Sequence, residues 1–276
     1  MTDHFNPELL VIDVDGTLVG RTRDIGTADK AALETAAARG IGVALCTGRV
    51  AQACRNIFAQ LELNGYHIFF DGAVVSDSVV ADPVYISHLD PLVLAEAIDF
   101  IHNSGVFLEL FTTTDYYVDA ENEFSDIRAN YFGVMPGVVD FHNLAAAEPV
   151  IKGGLIISRD DEMTLAQEFM DAFAGKLEFS RGATPAFPEL TFINILSPGV
   201  SKGQALRILA AHLGVPLERV MAFGDHYNDI SLLETAGFSV AMGNAPDAVK
   251  KKADYVTGDV EHCGIAAALD KIVLSA

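Results

Sequence analysis

The sequence predicts an α/β fold: a parallel sheet covered by helices on both faces, interrupted by an inserted α+β unit. Three observations carry that prediction. Over residues 8–80 aliphatic runs alternate with helical segments. In the middle of the chain the alternation lapses and short strands neighbour one another. After residue 197 the alternation resumes. On this reading residues 1–81 and 188–276 form the core, and 82–187 form the insert.

"LLVID" (9–13) has the continuous aliphatic character of a strand buried on both faces. "TADKAALETAAARG" (27–40) is an amphipathic helix that Thr27 is placed to cap and Gly40 to end. "IGVALCTGR" supplies the second strand and its turn, "VAQACRNIFAQL" a second helix, and "YHIFFDGAVV" a third strand entering a turn. In the insert, "LDPLVLAEAIDFIHNSG" (89–105) pairs an Asp90 cap with Pro91 at the first helical position and stops at Gly105. "VFLELFTTTDYYVDA" is two short strands around a threonine-rich turn; "VIKGGLIIS" is another. "DDEMTLAQEFMDAFAG" (160–175) is a capped helix, followed by the strands "KLEFS" and "LTFINIL". The last stretch holds the helix "SKGQALRILAAHLG" between Ser201 and Gly214, the strand "RVMAFGD", the helix "NDISLLETAG", the strand "FSVAM" and a final helix, "HCGIAAALDKIVLSA".

Composition narrows the function classes. The chain has 276 residues, 50% hydrophobic and 20% charged, which is globular. The net charge of −20 argues against nucleic acid or an anionic membrane as partner. The insert is the more acidic part, with five Lys/Arg against eighteen Asp/Glu for a net of −13. No apolar run reaches the ~18 residues of a membrane span, and "MTDHFNPELL" lacks the features of a signal peptide. Cys46, Cys54 and Cys263 are too scattered for a disulfide framework, so a reducing cytoplasm is the expected compartment.

Ligands of parallel α/β sheets bind beyond the carboxyl ends of the strands. Four motifs fall there or at adjoining helix starts: "DVDGT" (13–17), "CTGR" (46–49), "SKG" (201–203) and "GDHYND" (224–229). The carboxylates of Asp13, Asp15 and Asp225 suit a shared hard cation such as Mg²⁺. The Thr47-Gly48-Arg49 turn offers a hydroxyl and backbone N–H groups to an anion, and Lys202 offers a positive charge. Together these groups describe a phosphoryl-transfer site.

With those motifs, and with "SKGQAL", "GDHYNDISLLETAG" and "VAMGNAPDAVKKKADYVT" in order, the sequence resembles the haloacid dehalogenase (HAD) superfamily of phosphohydrolases. Within it, the chain resembles the Cof-type sugar-phosphatase branch, subfamily IIB. The resemblance implies a Rossmann-like, three-layer parallel-sheet core with an inserted α/β cap that governs specificity. It also implies Mg²⁺-dependent hydrolysis of small phosphomonoesters through an aspartyl-phosphate. Asp13 would be the nucleophile. Asp15 would be general acid and then base, and its backbone carbonyl rather than its carboxylate would touch Mg²⁺. Asp225 would be a further metal ligand, and Asp229 would orient the metal's water shell or Lys202. Thr47 and Gly48 would bind the phosphoryl group, Lys202 would neutralise its charge, and Asn228 would contact phosphate or substrate.

Plainer readings of the same residues stay open. Asp-Gly is a common turn pair, Thr47 and Asp229 suit helix caps, and Arg49 suits either a phosphate contact or a nearby ion pair. His226 has the right intrinsic pKa for an acid, but that role is already filled. Cys46 ends an apolar strand and is read as packed, as are Phe111, Tyr116 and Tyr117. Two positions depart from the branch: Asp71-Gly72-Ala73 stands where Asn-Gly-Ala is usual, and Cys263-Gly264-Ile265 where Asp-Gly-Val is usual. A phosphomutase would use the same aspartyl-phosphate; a phospho-receiver or a binding module is more remote. There is no Walker glycine loop for ATP hydrolysis by that route. The expected partner is a small phosphorylated metabolite, with the choice between monomer and homodimer open.

Overall fold

A computed structural model describes residues 5–22, 24–132, 134–182 and 187–274. The chain divides into two compact units, one built from the residues up to Tyr85 and from Ser201 onward, the other from Ile86 to the strand ending at Gly182 and from Pro188 to Val200.

The first unit opens with β1 (Leu9–Ile12), whose four side chains are all buried, as its unbroken aliphatic run requires. Next come α1 (Thr27–Ala38), β2 (Gly42–Leu45), α2 (Arg55–Leu61) and β3 (Tyr66–Phe69). Thr27 is the first helical residue of α1 rather than its cap; Gly26 holds the cap position and no side chain fills it. α2 is preceded by a 3-10 turn, Ala51–Cys54, so its helical segment is shorter than the sequence suggests. β3 does not extend the parallel sheet as a full strand. Its link there is one isolated bridge, Cys46 to Ile68. Instead it turns at Asp71-Gly72 and pairs antiparallel with β4 (Val74–Asp77), in a three-stranded sheet completed by β5 (Tyr85–Ile86).

The second unit follows: α3 (Pro91–Ser104), β6 (Phe107–Phe111), β7 (Tyr116–Val118), α4 (Glu123–Phe132), β8 (Gly137–Val138), α5 (Phe141–Ala147), β9 (Lys152–Ile157), α6 (Asp160–Ala172), β10 (Glu178–Gly182) and β11 (Thr191–Leu196). Asp90 caps α3 by accepting from the N–H groups of Leu92 and Val93, and Gly105 ends it, both as expected. The sheet order is β10-β11-β9-β6-β7-β8. Leu108, Leu110, Leu155, Ile193 and Ile195 alternate along the strands toward one core, which Ile98, Ile101 and Phe169 fill from the helices. β11 pairs with β9 and β10 from Thr191 to Leu196, so the strand belongs to this sheet. The expected limit of the insert at 187 would cut it away, because "LTFINIL" reads equally well as a strand of either sheet. Residues 183–186, beside that limit, lie outside the described residues.

The first unit resumes with α7 (Lys202–Leu213), β12 (Val220–Gly224), α8 (Ile230–Thr235), β13 (Phe238–Ala241), α9 (Asp247–Lys250), β14 (Tyr255–Val256) and α10 (Gly264–Leu269). The Ser201 hydroxyl accepts from Gln204 N–H and caps α7, and Gly214 ends it. The five-stranded sheet has the order β14-β13-β12-β1-β2, parallel throughout. β1 is therefore an interior strand, in register with Val220–Phe223 on one side and Gly42–Leu45 on the other. Each fully buried aliphatic there contributes about 1.5–3 kcal/mol. α1 and α10 are tied by Asp29, whose Oδ1 accepts from Ala266 N–H at 2.7 Å. Residues 275–276 of the expected final helix lie outside the described residues. Among the described residues no helix is long and apolar enough to cross a membrane.

Candidate active site

The site lies at the carboxyl ends of β1, β2 and β12. Asp13 follows β1 directly, its N–H still donating to Phe223 O at 3.0 Å in sheet fashion. The chain then folds tightly, with Val14 O accepting from the N–H groups of Leu18 and Val19. Gly16 makes this possible: its φ is +88°, and a Cβ there would sit 2.3 Å from Asp225 Oδ2.

Three carboxylates converge. Ligand oxygens of Asp13, Asp225 and Asp229 all lie within 4.8 Å of one another, and all three residues are buried. Lys202, 1% exposed at the start of α7, donates to Asp13 Oδ1 and, at 2.6 Å, to Asp229 Oδ1. Burial and the Asp229 charge raise the Asp13 carboxyl well above its ordinary range, against the pull of Lys202. Asp225 is pushed up to about 8 by burial and by Asp229. Burial opposes the Lys202 ammonium, yet Asp13 and Asp229 outweigh it and hold its pKa well above the usual lysine value.

The two carboxylate oxygens of Asp229 meet different groups. Its Oδ1 meets Lys202, while its Oδ2 accepts from the N–H groups of Asp225 and His226 at 2.9 and 3.0 Å, fixing the turn before the 3-10 segment Tyr227–Asp229. His226 otherwise packs edge-on against Tyr227.

Asp15 differs from the sequence reading of three carboxylates around one cation. Its carboxylate is held by the Arg49 fork, Nε to Oδ2 at 2.8 Å and Nη2 to Oδ1 at 2.7 Å. The turn at Gly16 takes Asp15 out of strand geometry, and the guanidinium supplies a bidentate partner. The buried cluster is thus Asp13, Asp225 and Asp229. Of the two readings of Arg49, the ion pair is the one formed. Thr47 is buried, accepts from Arg49 N–H at 3.1 Å and donates its own N–H to Ile68 O. It is not the helix cap, since the first helical turn begins at Ala51, with Val50 in the cap position. Asn228 donates to Asp71 Oδ1 at 3.0 Å.

Two residues carry no role in the sequence reading. Thr17 donates its hydroxyl to Asp225 Oδ1 at 2.9 Å. Asn244 donates to Gly16 O at 2.8 Å and to Asp225 Oδ2 at 3.1 Å. Both lie inside quoted motifs, but Thr17 meets Asp225 at a separation of 208 residues and Asn244 meets Gly16 at 228 and Asp225 at 19, so spacing alone does not find them. Cys46 is fully buried, and burial pushes its thiol well above the ordinary range, which makes it a packing residue. Phe111 and Tyr116 are likewise buried and stacked at 5.8 Å in the second unit.

A parallel sheet with buried carboxylates and a buried lysine at its carboxyl edge is a phosphoryl-transfer arrangement, and the family comparison agrees. The model of haloacid dehalogenase-like hydrolases matches residues 10–269. The chain belongs to this family. It is 29% identical over 270 residues to the 5-amino-6-(5-phospho-D-ribitylamino)uracil phosphatase YcsE of Bacillus subtilis, covering 97% of this chain and 96% of the relative. It is 30% identical over 278 residues to the phosphatase YwpJ of the same organism, covering 94% and 97%. Among solved structures it is similar to the HAD subclass IIB sugar phosphatase BT4131, with TM-score 0.83, 29% identity and coverage of 96% and 98%. The haloacid dehalogenase-like chain is a phosphatase of the Cof-like type, with a Rossmann-like core and an α/β cap.

The acidic cluster fits a divalent cation. Its donors are hard carboxylate oxygens, and burial, with the Asp229 charge second, raises both Asp13 and Asp225, an opposition to their charged forms that a cation would offset.

Proposed function

We propose that the protein is a Mg²⁺-dependent phosphatase of small phosphomonoesters, working through an aspartyl-phosphate on Asp13. The observation that carries this reading is the buried Lys202 ammonium held between Asp13 and Asp229. An ammonium so placed pulls the Asp13 pKa down against burial and Asp229, toward the ionised form that a carboxylate nucleophile requires.

Asp13 and Asp225 are the side chains assigned to hold Mg²⁺, with the Asp15 carbonyl beside them and Asp229 in support. The ion would supply charge neutralisation of the phosphoryl oxygens. Asp13 attacks phosphorus; the bond to the ester oxygen breaks, and that oxygen takes a proton from Asp15. Water then attacks phosphorus and gives its proton to Asp15, and the bond from phosphorus to the Asp13 oxygen breaks, releasing inorganic phosphate and restoring the carboxylate. Asp15 must exchange its Arg49 fork for the leaving oxygen, so Arg49 sets when the acid is available. Thr47, Gly48 and Asn228 hold the phosphoryl oxygens, and Lys202 offsets their charge.

The substrate class we infer is the phosphate ester of a polyhydroxylated carbon chain. The support is the activity that the names of similar proteins give them, one a phosphatase of a phosphoribitylamino compound and another a sugar phosphatase. We assign substrate choice to the acidic insert, and a reducing, cytoplasmic setting suits the buried free thiols of Cys46 and Cys54. A phosphate-release screen over cellular phosphomonoesters, with Asp13→Asn as blank, tests the whole reading. Release that persists in excess EDTA would refute the metal dependence, and transfer without net phosphate release would point to a mutase.

A further inference from the structure

The end of β3 departs from the branch pattern, and the departure falls beside the phosphoryl subsite. Asp71 is buried at 2% exposure, with φ 54° and ψ 27°. That left-handed region is one that Asp and Asn tolerate better than most side chains. Its N–H donates to Thr47 O at 3.0 Å, which fastens it to the Thr47-Gly48 turn. Its Oδ1 accepts from Asn228 Nδ2 at 3.0 Å. Its Oδ2 faces Gly48, where a Cβ would sit 2.7 Å away. Burial works against the Lys202 ammonium, and the Asp71 charge helps hold it protonated, behind Asp13, Asp229 and Cys46. One carboxylate thus contacts two groups assigned to phosphoryl binding, Gly48 and Asn228, and acts on a third.

We propose that Asp71 is a specificity-determining residue of the phosphoryl subsite, whose negative charge weakens the hold on a phosphate dianion and so favours release of inorganic phosphate. The proposal rests on the phosphoryl-site reading above. A dianion on the Gly48 N–H side approaches the Asp71 carboxylate in a buried setting, where like charges repel far more than in water. The hydrogen bond to Asn228 keeps that amide turned toward Asp71, so the geometry of the subsite survives while its affinity is moderated.

Asp71→Asn separates these two effects. Asparagine keeps an oxygen acceptor for Asn228 and tolerates the same backbone conformation, but carries no charge. In the Mg²⁺-loaded protein the inhibition constant of inorganic phosphate and the KM for a simple phosphomonoester are measured for both forms. The expected result is that both constants fall about tenfold in the variant, a change worth ~1.4 kcal/mol, with the thermal midpoint kept. Asp71→Gly, which also accepts positive φ, shows the same direction. Unchanged or weaker phosphate binding in folded variants overturns the proposal, as does failure of both variants to fold, which assigns Asp71 to structure alone. A wild-type protein that turns over phosphomonoesters while Asp71→Asn leaves both constants unmoved refutes the Asp71 role only. A wild type that neither turns them over nor binds inorganic phosphate refutes the subsite itself.

Discussion

Buried charge is organised differently in the two units. In the insert, Glu109 is 2% exposed and is matched by a single guanidinium, Arg128, which also lies over the rings of Phe132 and Phe192 at 4.2 and 5.2 Å. The partners are nineteen residues apart, and one charge answers one charge. In the first unit the buried ammonium of Lys202 bridges two carboxylates while Asp225 crowds the same space. Those residues come from distant stretches of chain, and their signs do not balance. A balanced buried pair holds a fold in place. A surplus of buried negative charge is stable only beside something that neutralises it, so imbalance is the mark of the reacting centre.

The sharpest way to break that contrast is Asp13→Asn. Turnover falls on the order of 10⁴-fold or more, because an amide is a poor nucleophile. The metal-free variant nevertheless melts at a higher temperature than the wild type, because burial and Asp229 both oppose the Asp13 charge. Steady-state kinetics and a thermal melt check the two halves separately.

Lys202→Met and Arg128→Met compare the units directly. Each strands a buried carboxylate and costs about 3–5 kcal/mol in urea unfolding. The double change Glu109→Leu with Arg128→Met recovers most of that stability, since an apolar pair can replace a balanced one. Lys202→Met recovers activity under no stabilising condition, whereas at a temperature where it stays folded Arg128→Met still hydrolyses a small aryl phosphate.

Asn244→Ala gives a smaller effect. It frees Asp225 Oδ2 and Gly16 O without touching the cluster's charge. The Mg²⁺ concentration for half-maximal activity rises about tenfold, read from a metal titration at fixed substrate.

The smallest effect lies away from the site, at Asp29. Burial raises its carboxyl to about 6, against the pull of the Ala266 and Ile265 N–H groups. The folded protein therefore keeps this proton to higher pH than the unfolded chain. The stability this gives is full below the ordinary value of 3.8 and is lost as pH rises through about 6. Thermal midpoints measured from pH 4 to 7 decline across that window in the wild type, and Asp29→Asn flattens the decline.

Much of this was readable from sequence because the motifs are local. "DVDGT", "CTGR", "SKG" and "GDHYND" each stand at a strand end or helix start that aliphatic runs and caps announce, and Asp90, Gly105, Ser201 and Gly214 sit where their chemistry says they should. What escaped was pairing between stretches. Nothing in "DVDGT" says that the Asp15 carboxylate turns to Arg49, or that Asp71 meets Asn228. "YHIFF" has the composition of a core strand, yet its hydrogen bonds go mainly to β4. "LTFINIL" fits two sheets equally and joins that of the insert. "EFSDIRANYF", which forms α4, has too weak an apolar stripe to be read as a helix.

The register of β1 has a consequence for how the molecule is made. Its neighbour β12 begins at Val220, so β1 lacks that partner until Val220–Phe223 have been synthesised. The sheet of the insert, by contrast, is complete once Leu196 has emerged. Folding thus proceeds from the inside of the sequence outward: the insert matures while β1 and β2 wait, with one flank of β1 unpaired. Asp29 fastens later still, because its partner Ala266 is synthesised after β12. A nascent chain arrested before Val220 is expected to protect the insert from protease and leave the first eighty residues open.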